Sequence, residues 1–138
     1  MSSTTYSVEI IESSKVLTAK ERIMFKDLSD TIALDAATQE GDYIVIEPVD
    51  YAILHVHNSN LDTPDYEKYV VIDQNGQRYS TGSNSFWNSF MDIYTEMRDE
   101  TDEKWAVKVY RRKSKNRAGK DFITCSLIWA ISSEVHLI

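Results

Sequence analysis

The hydrophobic pattern of this chain switches between a period of two and a period of three to four residues, and each switch predicts an element. Tyr6 to Glu12 has β-branched content and predicts a short edge strand. Thr18 followed by Glu21 has the form of a capping box. Ile23, Met24, Phe25 and Leu28 then recur at helical spacing, which predicts a short amphipathic helix over 19–28. Residues 29–40 fit a further helical turn or a loop equally well. From Asp42 the period becomes two. Tyr43 to Glu47 and Val49 to His57 are apolar runs broken by Pro48, which donates no ladder hydrogen bond and marks a bulge or bend. Asn58, Asn60, Asp62 and Pro64 place a loop over 58–65. Tyr66 to Ile72 is the next strand. Asn75-Gly76 follows, a dipeptide suited to a tight hairpin because both residues tolerate positive φ, and Gln77 to Thr81 returns as the partner.

Ser83, Asn84 and Ser85 are all competent helix N-caps. Phe86, Phe90, Tyr94 and Met97, flanked by Trp87 and Met91, give an amphipathic helix from about 85 to 98 whose aromatic stripe faces a core. Trp105 to Arg112 and Lys120 to Ile128 are strands joined by a basic loop at 113–119, and the tail from Trp129 to Ile138 adds a short strand or lies across the fold. The order is three strands, a helix and two strands, the layout of the OB fold. The expected fold is mainly β with helices: a five-stranded OB-type β-barrel with a helix between strands 3 and 4 and a short N-terminal helix. We read residues 1–138 as a single OB-type domain, with a strand and helix extension at 1–40, the barrel at 41–128 and a C-terminal segment at 129–138.

Charge adds a partner to this picture. The 138 residues carry a formal net charge of -7, yet six of the fifteen basic residues fall between 111 and 120 with no acid before Asp121. The remainder of the chain holds nine basic residues against 22 acidic ones, so one region is strongly positive on an acidic body. Strand alternation sharpens the point. Trp105, Val107 and Val109 share one face, and Lys108, Tyr110 and Arg112 share the other. In the last strand Ile123, Cys125 and Leu127 oppose Lys120, Phe122, Thr124 and Ser126. Each strand thus pairs an apolar face with a face of cations and one aromatic.

Rings among cations suit unstacked single strands, since every base has a π-face and phosphates are neutralised by lysine and arginine. Tyr110 and Phe122 are the expected stacking platforms. Lys108 stands on their face, and Arg111, Arg112, Lys113, Lys115, Arg117 and Lys120 are the expected phosphate contacts. His55 and His57, two residues apart, lack a third metal ligand nearby in sequence and read as polar strand-face residues. There is no Gly-rich phosphate loop, zinc-ligand spacing or nucleophile elbow, so the expectation is a non-enzyme without cofactor or metal. Cys125 is the lone cysteine, between Ile123 and Leu127 by alternation, and reads as a buried structural thiol in a reducing compartment. No apolar run approaches the ~20 residues of a membrane span, and Met1 to Lys15 has no signal-peptide pattern.

Several segments together resemble a known family. They are Gly41-Asp42-Tyr43-Ile44-Val45-Ile46, the hairpin from Val70 to Ser80 with Gly76 and Tyr79, and Ser83-x-Ser85-Phe86 with Phe90-Met91-Asp92-Ile93. They continue with Ala106-Val107-Lys108-Val109 and Ser114-Lys115 through Ala118-Gly119-Lys120-Asp121-Phe122-Ile123. Over residues 41–128 the chain resembles the small single-stranded DNA-binding proteins of tailed phages infecting Gram-positive bacteria. The resemblance implies an OB-type fold, coating of single strands in phage replication or recombination, no cofactor, and a cytoplasmic location in the host cell. It also adds Tyr79 to the binding residues. The expected partner is single-stranded DNA, with RNA served equally by stacking and phosphate contacts. Replication or recombination proteins are further implied partners, and an exposed barrel edge offers a route to self-association. The alternative reading is an acidic protein-interaction module in which Asp99 to Glu103 docks a replication, recombination or host protein.

Overall fold

The computed structural model describes residues 5–100, 104–113, 121–131 and 134–137. It is mainly β, with a few helices. The chain forms two compact units: one from residues up to Ala33 together with Val49–Gly82, the other from Leu34–Pro48 together with Ser83 onward.

In the first unit β1 (Tyr6–Ser13), α1 (Ala19–Lys26) and β2 (Ile32–Ala33) precede β4 (Pro48–Asn58), β5 (Asp65–Asp73) and β6 (Arg78–Thr81); β3 (Ile44–Ile46) belongs to the second unit. The five strands lie in the order β1-β4-β5-β6-β2. The stretch predicted as an N-terminal extension therefore supplies an edge strand, a helix and a short parallel strand of this sheet. β1 runs antiparallel to β4 with one extra residue, Ile11, between Ile10 and Glu12. Alternation drives the core: Ala52, Leu54 and Val56 of β4 are fully buried with Val70 of β5, and Leu17 ahead of α1 and Phe25 within it are buried against them. The predicted capping box is present, since Thr18 Oγ1 accepts from Glu21 N–H and Glu21 Oε1 accepts from Thr18 N–H. Lys15 Nζ lies 2.7 Å from Glu21, and that contact with the cap hydrogen bond pulls the Glu21 carboxyl down to about 2. At the other end of α1 the buried Arg78 side chain donates to the carbonyls of Met24 and Asp27, and Met24 O also accepts from the Asp27 N–H of the C-cap.

The β5–β6 hairpin forms where predicted but by a different turn. Only Gly76 takes positive φ, at 84°. Asp73 Oδ1 accepts from the N–H groups of Asn75 and Gln77, each at 2.9 Å, while Asp73 O accepts from Gly76 N–H at 3.1 Å. The Asp73 carboxylate thus builds a three-residue loop with Gly76 at its left-handed position, and Asn75 stays at negative φ.

In the second unit a short helix, α2 (Leu34–Ala37), leads through a single 3₁₀ turn to β3 (Ile44–Ile46). Helix α3 (Asn84–Met97) follows a Ser83 cap, and β7 (Trp105–Lys113), β8 (Asp121–Ile131) and β9 (Glu134–Leu137) complete the sheet β3-β7-β8-β9. The tail therefore adds a strand. Helix α3 buries the predicted stripe: Phe90 is stacked between Phe86 at 5.6 Å, Trp87 at 5.2 Å and Tyr94 at 5.5 Å between ring centroids.

The described strands form two sheets and close no barrel. The run predicted to bend at Pro48 breaks there, so residues 44–46 pair with β7 while β4 pairs with β1 and β5. The edge of β6 away from β5 is taken by β2, with Ile32 beside Tyr79 and Ala33 beside Ser80. The helix does fall between the third and fourth of the predicted strands. No helix of the described residues is long and apolar enough to cross a membrane.

Candidate nucleic-acid interface

The sheet of the second unit has one face against its core and one open. Val107 and Val109 of β7, with Ile123 and Cys125 of β8, are buried on the inner face. Paired residues share a face, so the register sets Val45, Lys108 and Ser126 in one outward row. Tyr110 beside Thr124, and Arg112 beside Phe122, form the next rows. Tyr110 and Phe122 are half-buried and lie on this outward face, as alternation predicts.

Lys108 organises the face. Its Nζ stands 4.5 Å from the centroid of the Tyr43 ring and 5.7 Å from that of Tyr110. A cation over two rings keeps its chain extended across the sheet, each contact contributing about 0.5–1 kcal/mol at an exposed site. The Tyr110 hydroxyl lies 2.7 Å from Ser126 Oγ, which fixes its ring across β8. Tyr43 is 59% exposed, the most open ring of the group. Thr124 is buried, with Oγ1 2.9 Å from Ser89 Oγ of α3, and marks where the open surface ends. Arg112 and Lys113 are exposed at the far end of β7. The result is a strip of two tyrosines and a phenylalanine with cations between and beyond them.

Tyr43 and Val45 were missed from sequence. Alternation with the inward Ile44 and Ile46 turns both outward, but only the pairing of this segment with β7 brings them beside Lys108.

Two expected site residues lie elsewhere. Arg111 shares the inner face with Val107 and Val109, because alternation places it opposite Tyr110 and Arg112. Its Nε donates to Thr38 Oγ1 at 3.2 Å and its Nη2 donates to Asp35 O at 2.9 Å, so it holds the end of α2 rather than reaching a phosphate. Thr38 is fully buried and donates in turn to Leu34 O. Replacing Arg111 with alanine is expected to cost about 1–3 kcal/mol in urea unfolding, through the loss of two hydrogen bonds worth about 0.5–1.5 kcal/mol each. Tyr79 is 7% exposed and belongs to the first unit; its hydroxyl donates to Asp73 Oδ2 at 3.1 Å. Burial pushes its phenol up to about 12, and its ring offers no stacking face. Lys115, Arg117 and Lys120 lie outside the described residues, as does most of the basic loop. Of the acidic 99–103 cluster, Asp99 and Glu100 are described and exposed.

Cys125 is buried, and burial pushes its thiol up to about 12. Since a thiolate is the reactive form, the folded protein at neutral pH is expected to resist a disulfide-exchange reagent and to release one thiol equivalent only on unfolding. Rapid labelling before unfolding would contradict this. In the first unit His55 Nε2 and His57 Nδ1 both meet Asp65 Oδ1, at 3.0 and 2.8 Å. The His57 hydrogen bond holds the Asp65 carboxyl below its ordinary value. The pair thus has a partner that sequence spacing hid, and no group among the described residues is arranged to hold a metal ion.

No family model, no curated protein and no solved structure matches this chain.

Proposed function

We propose that the protein binds single-stranded nucleic acid without sequence preference, as a coating protein in phage DNA replication or recombination. The observation that carries this reading is Lys108 set between the Tyr43 and Tyr110 rings on an open sheet face. Rings on such a face stack on bases of any identity, at about 1–3 kcal/mol per base. Lys108, Arg112 and Lys113 lie within reach of the intervening phosphates, and the basic 113–119 segment extends the charge in sequence. The rest of the chain, with nine basic residues against 22 acidic ones, repels the polyanion and favours this one face. The resemblance to phage single-stranded DNA-binding proteins supports the same assignment.

An opened OB-type barrel is the finer reading of the fold. Its support is the strand order: a run interrupted at Pro48 gives one strand to each sheet, β5 and β6 follow as a hairpin, and α3 precedes the β7–β8 pair. Fluorescence anisotropy of labelled oligo-dT against duplex of equal length tests the function. Micromolar or tighter binding to oligo-dT that weakens with salt and exceeds duplex binding is expected. Absence of oligo-dT binding at low salt would remove the reading.

A further inference from the structure

The outward face holds a second feature at the end away from Phe122. Val45, Glu47, Lys104, Trp105, Ala106, Ile128 and Trp129 line an open pocket of about 290 Å³. Its apolar lining is Val45, the methyl of Ala106, Ile128 and the Trp105 and Trp129 rings; Glu47 and Lys104 are exposed charges among them. Val45 is also the ladder partner of Lys108, so pocket and platform are continuous through a single residue pair. Ala106 precedes Lys108 by two residues on the same strand face, and Ile128 follows Ser126 in the same way.

We infer that this pocket holds one unstacked nucleobase of a strand lying on the Tyr43–Lys108–Tyr110 platform; the inference rests on the function proposed above. The apolar side accepts a base face or a pyrimidine methyl group, as alanine and other apolar groups do for thymine. The Glu47 carboxylate accepts from a ring N–H or exocyclic amine, and the Lys104 ammonium donates to a base carbonyl or the adjoining phosphate. A base seated here anchors the strand at one end of the strip while Tyr43 and Tyr110 stack its neighbours. The platform alone would let the strand slide.

Anisotropy titrations of oligo-dT and oligo-rU against the full chain, with strands carrying one abasic residue at successive positions, test this. Ala106→Leu fills the pocket from its floor, and Val45→Ser opens its wall at a 46% exposed position that the fold does not need. Wild type is expected to lose affinity sharply for one abasic position. Ala106→Leu is expected to weaken binding of intact strands by about fivefold or more and to erase the positional effect, with the salt slope unchanged. Val45→Ser weakens binding in the same direction. An effect confined to oligo-dT or to oligo-rU supports the pocket, and oligo-dU then separates the sugar from the thymine methyl group. If wild type binds but an abasic residue costs the same everywhere and both variants match wild type, the pocket is overturned and the platform stands. If wild type binds neither oligonucleotide, platform and pocket fall together.

Discussion

Alanine at both Tyr43 and Tyr110 lowers affinity for oligo-dT by about 30-fold or more, because two stacked bases lose their partners at roughly 1–3 kcal/mol each. Neither ring belongs to the core: Tyr43 is 59% exposed and Tyr110 is half-buried on the open face. The far-ultraviolet circular dichroism and urea midpoint of the variant should therefore stay near wild type. Tyr110→Phe, which keeps the ring and loses only the hydroxyl contact to Ser126, should retain most of the affinity. Lys108→Gln adds a separate signature. It removes one phosphate contact and the cation between the rings, so the magnitude of the salt slope should fall by about one unit. Wild-type affinity in the double alanine variant would remove the platform from the site.

Phe90→Ala is the substitution expected to cost most stability. The ring is fully buried in α3 and contacts three other aromatic rings, so its removal leaves a cavity that the rigid neighbours cannot fill. Loss of a buried phenylalanine costs about 3–5 kcal/mol. With a urea m-value of about 1–3 kcal/mol/M, the midpoint should drop by about 2 M. A shift below about 0.5 M would mean that the stripe is looser than its ring distances indicate.

Local elements were legible where one interaction dominates. The Thr18–Glu21 box, the Ser83 cap, the aromatic stripe and the alternation in β7 and β8 are short-range patterns, and each formed as read. Pairing over long separations was not legible. Ile32–Ala33 is too short to show a period, yet it takes the outer edge of β6. Hydrogen bonds from side chains were also hidden: Asp73 decided the hairpin turn, and Asp65 gave the two histidines a partner. Arg111 is the instructive case at the site. Its neighbours made it look like one of a basic run, but the same alternation that turns Tyr110 outward turns Arg111 inward. In a β-strand, parity outranks charge context. Tyr43 and Val45 needed the β3–β7 register to reach the platform, and no local feature supplies a register. Ile23 departs in the other direction. It is apolar on a predicted helix yet 70% exposed, because the short α1 buries only Phe25.

The extra residue in β1 bears on how the protein behaves when concentrated. Among the described residues β1 is the outer strand of its sheet, and an outer strand invites another chain to add on. A newcomer would find even spacing from Tyr6 only to Ile10 before the offset at Ile11 reverses which residues point to which side. Fibril-forming segments need about six or seven uninterrupted residues. The irregularity leaves fewer, so this edge is a poor template for stacking one copy upon another.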